Sequence, residues 1–172
     1  MNICIIGNED NTVNWEQELK DKDIIVRVYP NTFDQLYDDS LFTKEHHAIL
    51  NGNYSNETNF DLIPDEIEFL KKYNKILFMN INKEKNLLRL VDVFYIHSIR
   101  HLANDHPFKE YIKQMEGRFD DIFSLHIKTL LYYCFTYKDD TIHTYKFGLK
   151  TKKLTKEKKF INSLYLNHIS HD

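Results

Sequence analysis

The chain has 172 residues, which suits one compact domain or a domain with a small appendage. Hydrophobic residues make up 42% and charged residues 28%, so a packed core is expected and disorder is excluded as the default state. The formal net charge of −3 excludes a wholly basic nucleic-acid binder and leaves room only for a local basic patch. With 4 Gly and 3 Pro, turns must lean on Asn and Asp, which tolerate left-handed backbone. That leans the fold class away from many-stranded sandwiches and toward α/β or α+β. Cys4 and Cys134 each sit in an apolar run and read as buried, reduced thiols. The first residues lack a basic start, and no apolar run approaches the ~18 residues of a membrane helix. A soluble, cytoplasmic protein with no membrane contact is expected.

In chain order, residues 2–7 (NICIIG) read as a short buried strand. Residues 11–21 read as a helix, with Asn11 or Thr12 as cap. Residues 23–29 (DIIVRVY) are β-branched and form a second strand, ended by Pro30. A helix over 32–43 follows, then a third strand at 47–50, with His46 and His47 at its start. That pair reads as a helix end favoured by the negative dipole. Pro64 opens a helix over 64–73, and 75–79 (KILFM) is a fourth strand. Residues 83–91 look helical and 93–96 (VFYI) form a candidate fifth strand. The stretch 91–102 also fits one helix face through Val91, Phe94, Tyr95, Ser98 and Leu102. Pro107 and Gly117 bracket a helix over 107–116. After Gly117 the pattern predicts antiparallel strands or hairpins across 125–137 and TIHTYKFGLK. Thr155 then caps a helix over 156–166.

Short apolar strands alternating with amphipathic helices predict an α/β fold with a doubly wound parallel sheet, receiver- or flavodoxin-like. Residues 1–118 would form that unit. Residues 121–172 would form a small β-rich appendage of hairpin plus helix.

The N-terminal pattern resembles the receiver domain of two-component response regulators. The stretch KKLTKEKKFINSLYLNHISHD resembles the start of an OmpR-like winged-helix domain, with Leu154, Thr155, Glu157, Phe160, Leu164, Ile169 and Ser170 in matching roles. The receiver resemblance implies acids after strand 1, a phosphoacceptor Asp after strand 3, Ser or Thr after strand 4 and Lys after strand 5. Glu9 and Asp10 match the acids, which would suit a hard cation. The other positions fall at Asn51 and Gly52, at Asn80 or Asn82, and at Ser98, which supply no carboxylate, hydroxyl and lysine in turn. The resemblance therefore implies an atypical receiver that acts without Asp phosphorylation and needs no cofactor. Its function would be signalling or transcription regulation through a protein partner, with homodimers expected. DNA is a second implied partner, through Lys150, Lys152, Lys153, Lys156, Lys158 and Lys159. The chain as given ends before a recognition helix would start, so major-groove contact by that route is not expected.

Two rival readings come from other classes. His97 and His101 are spaced i, i+4 and His106 follows, a spacing that lets two imidazoles share a metal on a helix. Arg100, His101 and His106 also resemble the Arg-x4–6-His signature of HEPN ribonucleases, in which Arg stabilises developing charge and His moves protons. A small ribonuclease or metal-dependent hydrolase would use these residues. The third reading is an accessory or inhibitor protein with an aromatic-rich binding surface.

Overall fold

The structure is a computed structural model, and it describes residues 1–7, 13–28, 44–50, 68–78, 99–101, 107–119, 123–145 and 168–171. Seven strands occur in these segments: β1 (Asn2–Ile6), β2 (Ile24–Val28), β3 (Glu45–Leu50), β4 (Lys75–Phe78), β5 (Ile99–His101), β6 (Thr141–Tyr145) and β7 (His168–Ser170). The helices are α1 (Trp15–Leu19), α2 (Pro107–Phe119) and α3 (Leu125–Thr136). Residues 68–70 are also helical. The strands form one sheet in the order β5-β4-β3-β2-β1-β6-β7. Every neighbouring pair runs parallel. No helix among the described residues is long and apolar enough to cross a membrane.

Parallel strands must be covered on both faces, and successive side chains alternate between those faces. Hence the continuous apolar runs in β1 and β2. Ile3, Ile5, Ile24, Val26, Ile49, Leu77 and Ile142 form one face, packed with Phe108 and Ile112 of α2 and Ile127, Leu130 and Leu131 of α3. Cys4, Ile6, Ile25 and Tyr145 form the other face, under Trp15 and Leu19 of α1. Burying each large aliphatic side chain stabilises the fold by about 1.5–3 kcal/mol.

Helix ends are set by specific groups. Asn14 caps α1, its side-chain oxygen accepting from the Gln17 N–H at 3.3 Å. The far end of α1 is held by Lys44, whose Nζ donates to the carbonyls of Leu19, Lys20 and Lys22 at 2.6, 2.6 and 2.8 Å. Ser124 caps α3 through the Ile127 N–H at 3.4 Å.

The α/β class and the parallel sheet agree with the sequence reading, and four details differ from it. Residues 125–137 are not hairpin strands: 125–136 form a helix. Ile127, Leu130, Leu131 and Cys134 are all buried at i, i+3, i+4 and i+7, a helical stripe inside a mostly apolar run. The flavodoxin-like order 2-1-3-4-5 places β1 between β2 and β3. Here β1 lies between β2 and β6, and β3 pairs on the far side of β2. The expected division at 118/121 is not a break in the sheet, because Thr141–Tyr145 pairs along the whole of β1. Finally, α2 runs through Gly117 to Phe119, so this glycine is helical rather than a stop.

His46 and His47 lie inside β3, not at a helix end. A strand pairs with β4 at 99–101, so a single helix over 91–102 does not hold. The expected strand at 93–96 and the helices at 32–43, 83–91 and 156–166 lie outside the described residues.

Candidate functional site

In an open parallel sheet the chain leaves β1 in one direction and returns on its other side. At that reversal the loops above adjacent carboxyl ends diverge and leave a crevice. Here the reversal lies between β1 and β6. The two ends are tied together, the Gly7 N–H donating to the Tyr145 carbonyl at 2.9 Å. Nε2 of His126, in the first turn of α3, lies 3.3 Å from the Gly7 carbonyl oxygen.

Tyr145 organises the α1 side of this edge. Its hydroxyl donates to Glu18 Oε2 at 2.8 Å. Burial, then the bond to Glu18, hold the phenol protonated far above its ordinary range. The Trp15 ring meets it edge-on, with centroids 5.8 Å apart at 65°. The His171 ring, just beyond β7, stacks on it at 4.3 Å and 3°. His143 Nδ1 and His171 Nε2 are 3.0 Å apart, and Thr144 Oγ1 and His168 Nε2 are 2.7 Å apart.

A second polar constellation lies at the opposite, amino-terminal edge. His47 is fully buried, with Nδ1 2.5 Å from the Tyr133 hydroxyl and Nε2 2.7 Å from Glu45 Oε1. Burial lowers its pKa, against the opposing hydrogen bond to Glu45. The imidazole is therefore neutral: the phenol donates to Nδ1, and Nε2–H donates to the carboxylate. Burial also pushes Tyr133 well above the usual phenol range. With Tyr133 wholly inside the core, this chain of groups satisfies buried polar atoms. His46 is brought down to about 4, mainly by burial.

Both cysteines are buried and free. Cys4 is pushed far up by burial and Cys134 up to about 12 by the same cause, so neither is a thiolate near neutral pH. No group of three or more His, Cys, Asp or Glu side chains gathers for a metal among the described residues.

One surface among the described residues stands out by composition. Phe135 on α3 is 45% exposed. It packs against Phe108 at 5.9 Å and Tyr111 at 6.3 Å. Phe108 in turn meets Tyr132 edge-on at 5.4 Å. Phe135, with the half-buried Tyr111 and Tyr132, thus lies over the buried Phe108.

Most residues singled out from the sequence lie outside the described segments: Glu9, Asp10, Asn51, Asn80, Ser98, Lys150, Lys152, Lys153, Lys156, Lys158, Lys159, His97 and His106. Arg100 and His101 lie on β5. His101 is therefore on a strand, and the helical i, i+4 spacing with His97 does not apply to it. Tyr145, His143 and His171 were not singled out, because strand pairing alone unites positions this far apart. The sole hint was the alternation in TIHTY.

Comparison with known proteins gives no matching family model, no matching curated protein and no matching solved structure. The fold and its edges define the class: an α/β protein built on a parallel sheet with its reversal between β1 and β6.

Proposed function

We propose that this protein is a non-catalytic interaction protein of the signalling type. It binds a protein partner through the aromatic surface of α2 and α3 and works without aspartyl phosphorylation. The observation that carries this reading is the exposed Phe135, seated on the buried Phe108 beside the half-buried Tyr111 and Tyr132. Aromatic side chains give large contact area at low entropic cost and are enriched at the centres of protein interfaces. Buried, protonated cysteines and the core position of the His47–Tyr133 pair support binding over catalysis.

The test is site-specific photocrosslinking. A crosslinker at position 135 is expected to capture a discrete protein in the source cell, and one at Lys72 is not. Phe135→Asp, with its melting temperature checked, is expected to abolish capture by a crosslinker at Tyr111. Equal capture from positions 135 and 72 overturns the reading, as does survival of capture in Phe135→Asp.

A further inference from the structure

We propose that His143 and His171 form a pH-sensitive latch that fastens the edge strand β7 to the sheet near neutral pH and releases it in acid. The feature that carries this is a hydrogen bond between an imidazole of β6 and one just beyond the end of β7. Nδ1 of His143 and Nε2 of His171 are 3.0 Å apart. The ring centroids are 5.2 Å apart and the planes differ by 19°.

These distances distinguish two chemistries. Two imidazoles converging on one metal ion at about 2.05 Å, with nitrogens this close, would bring the ring centres to about 4.7 Å. An in-line N–H···N bond of this length separates them by about 5.3 Å. The observed separation matches the in-line bond. One ring donates and the other must present a bare nitrogen.

That requirement fixes the sign of the pH response. The neutral pair holds one proton between the facing nitrogens. Adding a second proton to the pair leaves a charge-assisted N–H···N bond intact. Adding the next places N–H against N–H and cation against cation, and the bond is lost. The detached strand lets both rings protonate near the ordinary histidine value of about 6.5. The detached form thus binds up to one more proton than the latched form. Below about pH 6.5 the latch constant falls by up to tenfold per pH unit.

The surroundings reinforce this direction. His143 is pulled down mainly by burial, then by Lys22 and His171, with Asp21 opposing. Lys22 and Asp21, themselves paired at 2.8 Å, follow α1. Tyr145 stacks on His171, and its hydroxyl is committed to Glu18. On the opposite face of β7, His168 bonds the Thr144 hydroxyl, a contact that survives protonation because N–H can still donate. The backbone of the latched segment is held by His171 N–H donating to Thr144 O at 2.9 Å. β7 itself is three residues long and largely exposed, with Ile169 at 46%. Little else among the described contacts fastens its end.

The experiment is amide hydrogen exchange by NMR on the full chain at pH 7.5 and 5.0, corrected for intrinsic rates. Amides of β1 and β2 in the same sample report global opening. The His171 amide is expected to lose at least tenfold more protection on acidification than those internal references. In His171→Gln the side-chain amide presents donor and acceptor without titrating, so the extra loss is expected to vanish. In His143→Ala the His171 amide is expected to be weakly protected at both pH values while β1 and β2 stay protected. An excess loss of less than threefold in the unaltered protein overturns the latch. So does an undiminished acid loss in His143→Ala.

Discussion

His46 and His47 show how burial converts a side chain into a pH limit on stability. Both are brought below their ordinary value in the folded chain, mainly by burial, and return to it on unfolding. The unfolded chain therefore binds more protons as pH drops. Their contribution is complete above about pH 6.5 and is lost as pH falls toward about 4, the folded value of His46. His46 alone accounts for a loss on the order of 3 kcal/mol across that window. Urea midpoints at pH 7.5 and 5.0 are expected to differ in this sense. A His46→Asn variant should flatten the slope, even if it lowers the midpoint throughout. Neither histidine's role was legible in sequence. The apolar run Ala48–Leu50 begins only after them, which makes the pair read as the end of the preceding helix. In fact β3 begins at Glu45, and buried polar residues inside a strand carry no local signature. The partner Tyr133 is 86 positions away and invisible to any periodicity.

At the scale of elements, the ends matter more than the interiors. α1 has five residues, too short to be stable on its own. Lys44 compensates by covering three carbonyls at its C-terminal end. Lys44→Met is expected to cost about 1–3 kcal/mol, read as a lower urea midpoint, because it leaves those acceptors without their charged donor. α2 offers the opposite case. A Cβ at Gly117 would meet nothing within 4 Å, and the residue lies in helix. Gly117→Ala is expected to raise stability by about 0.5–1 kcal/mol, a shift in melting temperature that calorimetry resolves. The strands β1, β2, β3 and β4 were legible because apolar runs bounded by polar residues admit few alternatives at four to six residues. The helix over 125–136 was not. Its apolar residues occupy nearly every position, so the 3.6-residue stripe is hidden within a run that also suits strands. Ser124 was the one available signal, a cap immediately before the run.

For the whole molecule, the sequence suggested two units and the sheet shows one continuous ladder through β7. The texture change after Gly117 accompanies a switch from a charged helix to a more apolar one. The order of strands was beyond reach because it depends on which strand flanks β1, and nothing local to NICII selects Thr141–Tyr145 over β3. A shared sheet predicts shared unfolding. Trp15 fluorescence reports the α1 layer and far-UV circular dichroism reports all layers. Their urea transitions are expected to coincide within error, as a two-state unit requires. Two separated transitions would restore the division at 118/121.

The position of β1 also sets a schedule for biosynthesis. Asn2 pairs with Thr141, and Ile6 with Tyr145. At about 5–20 residues per second, the ribosome needs about 7–30 s after making β1 to deliver β6. During that interval β1 can pair with β2, yet its other side stays an open edge lined by Ile3, Cys4, Ile5 and Ile6. An inner strand of the finished sheet is thus an open edge through most of synthesis, and the stage at which a chaperone would be most useful lies before residue 145 emerges.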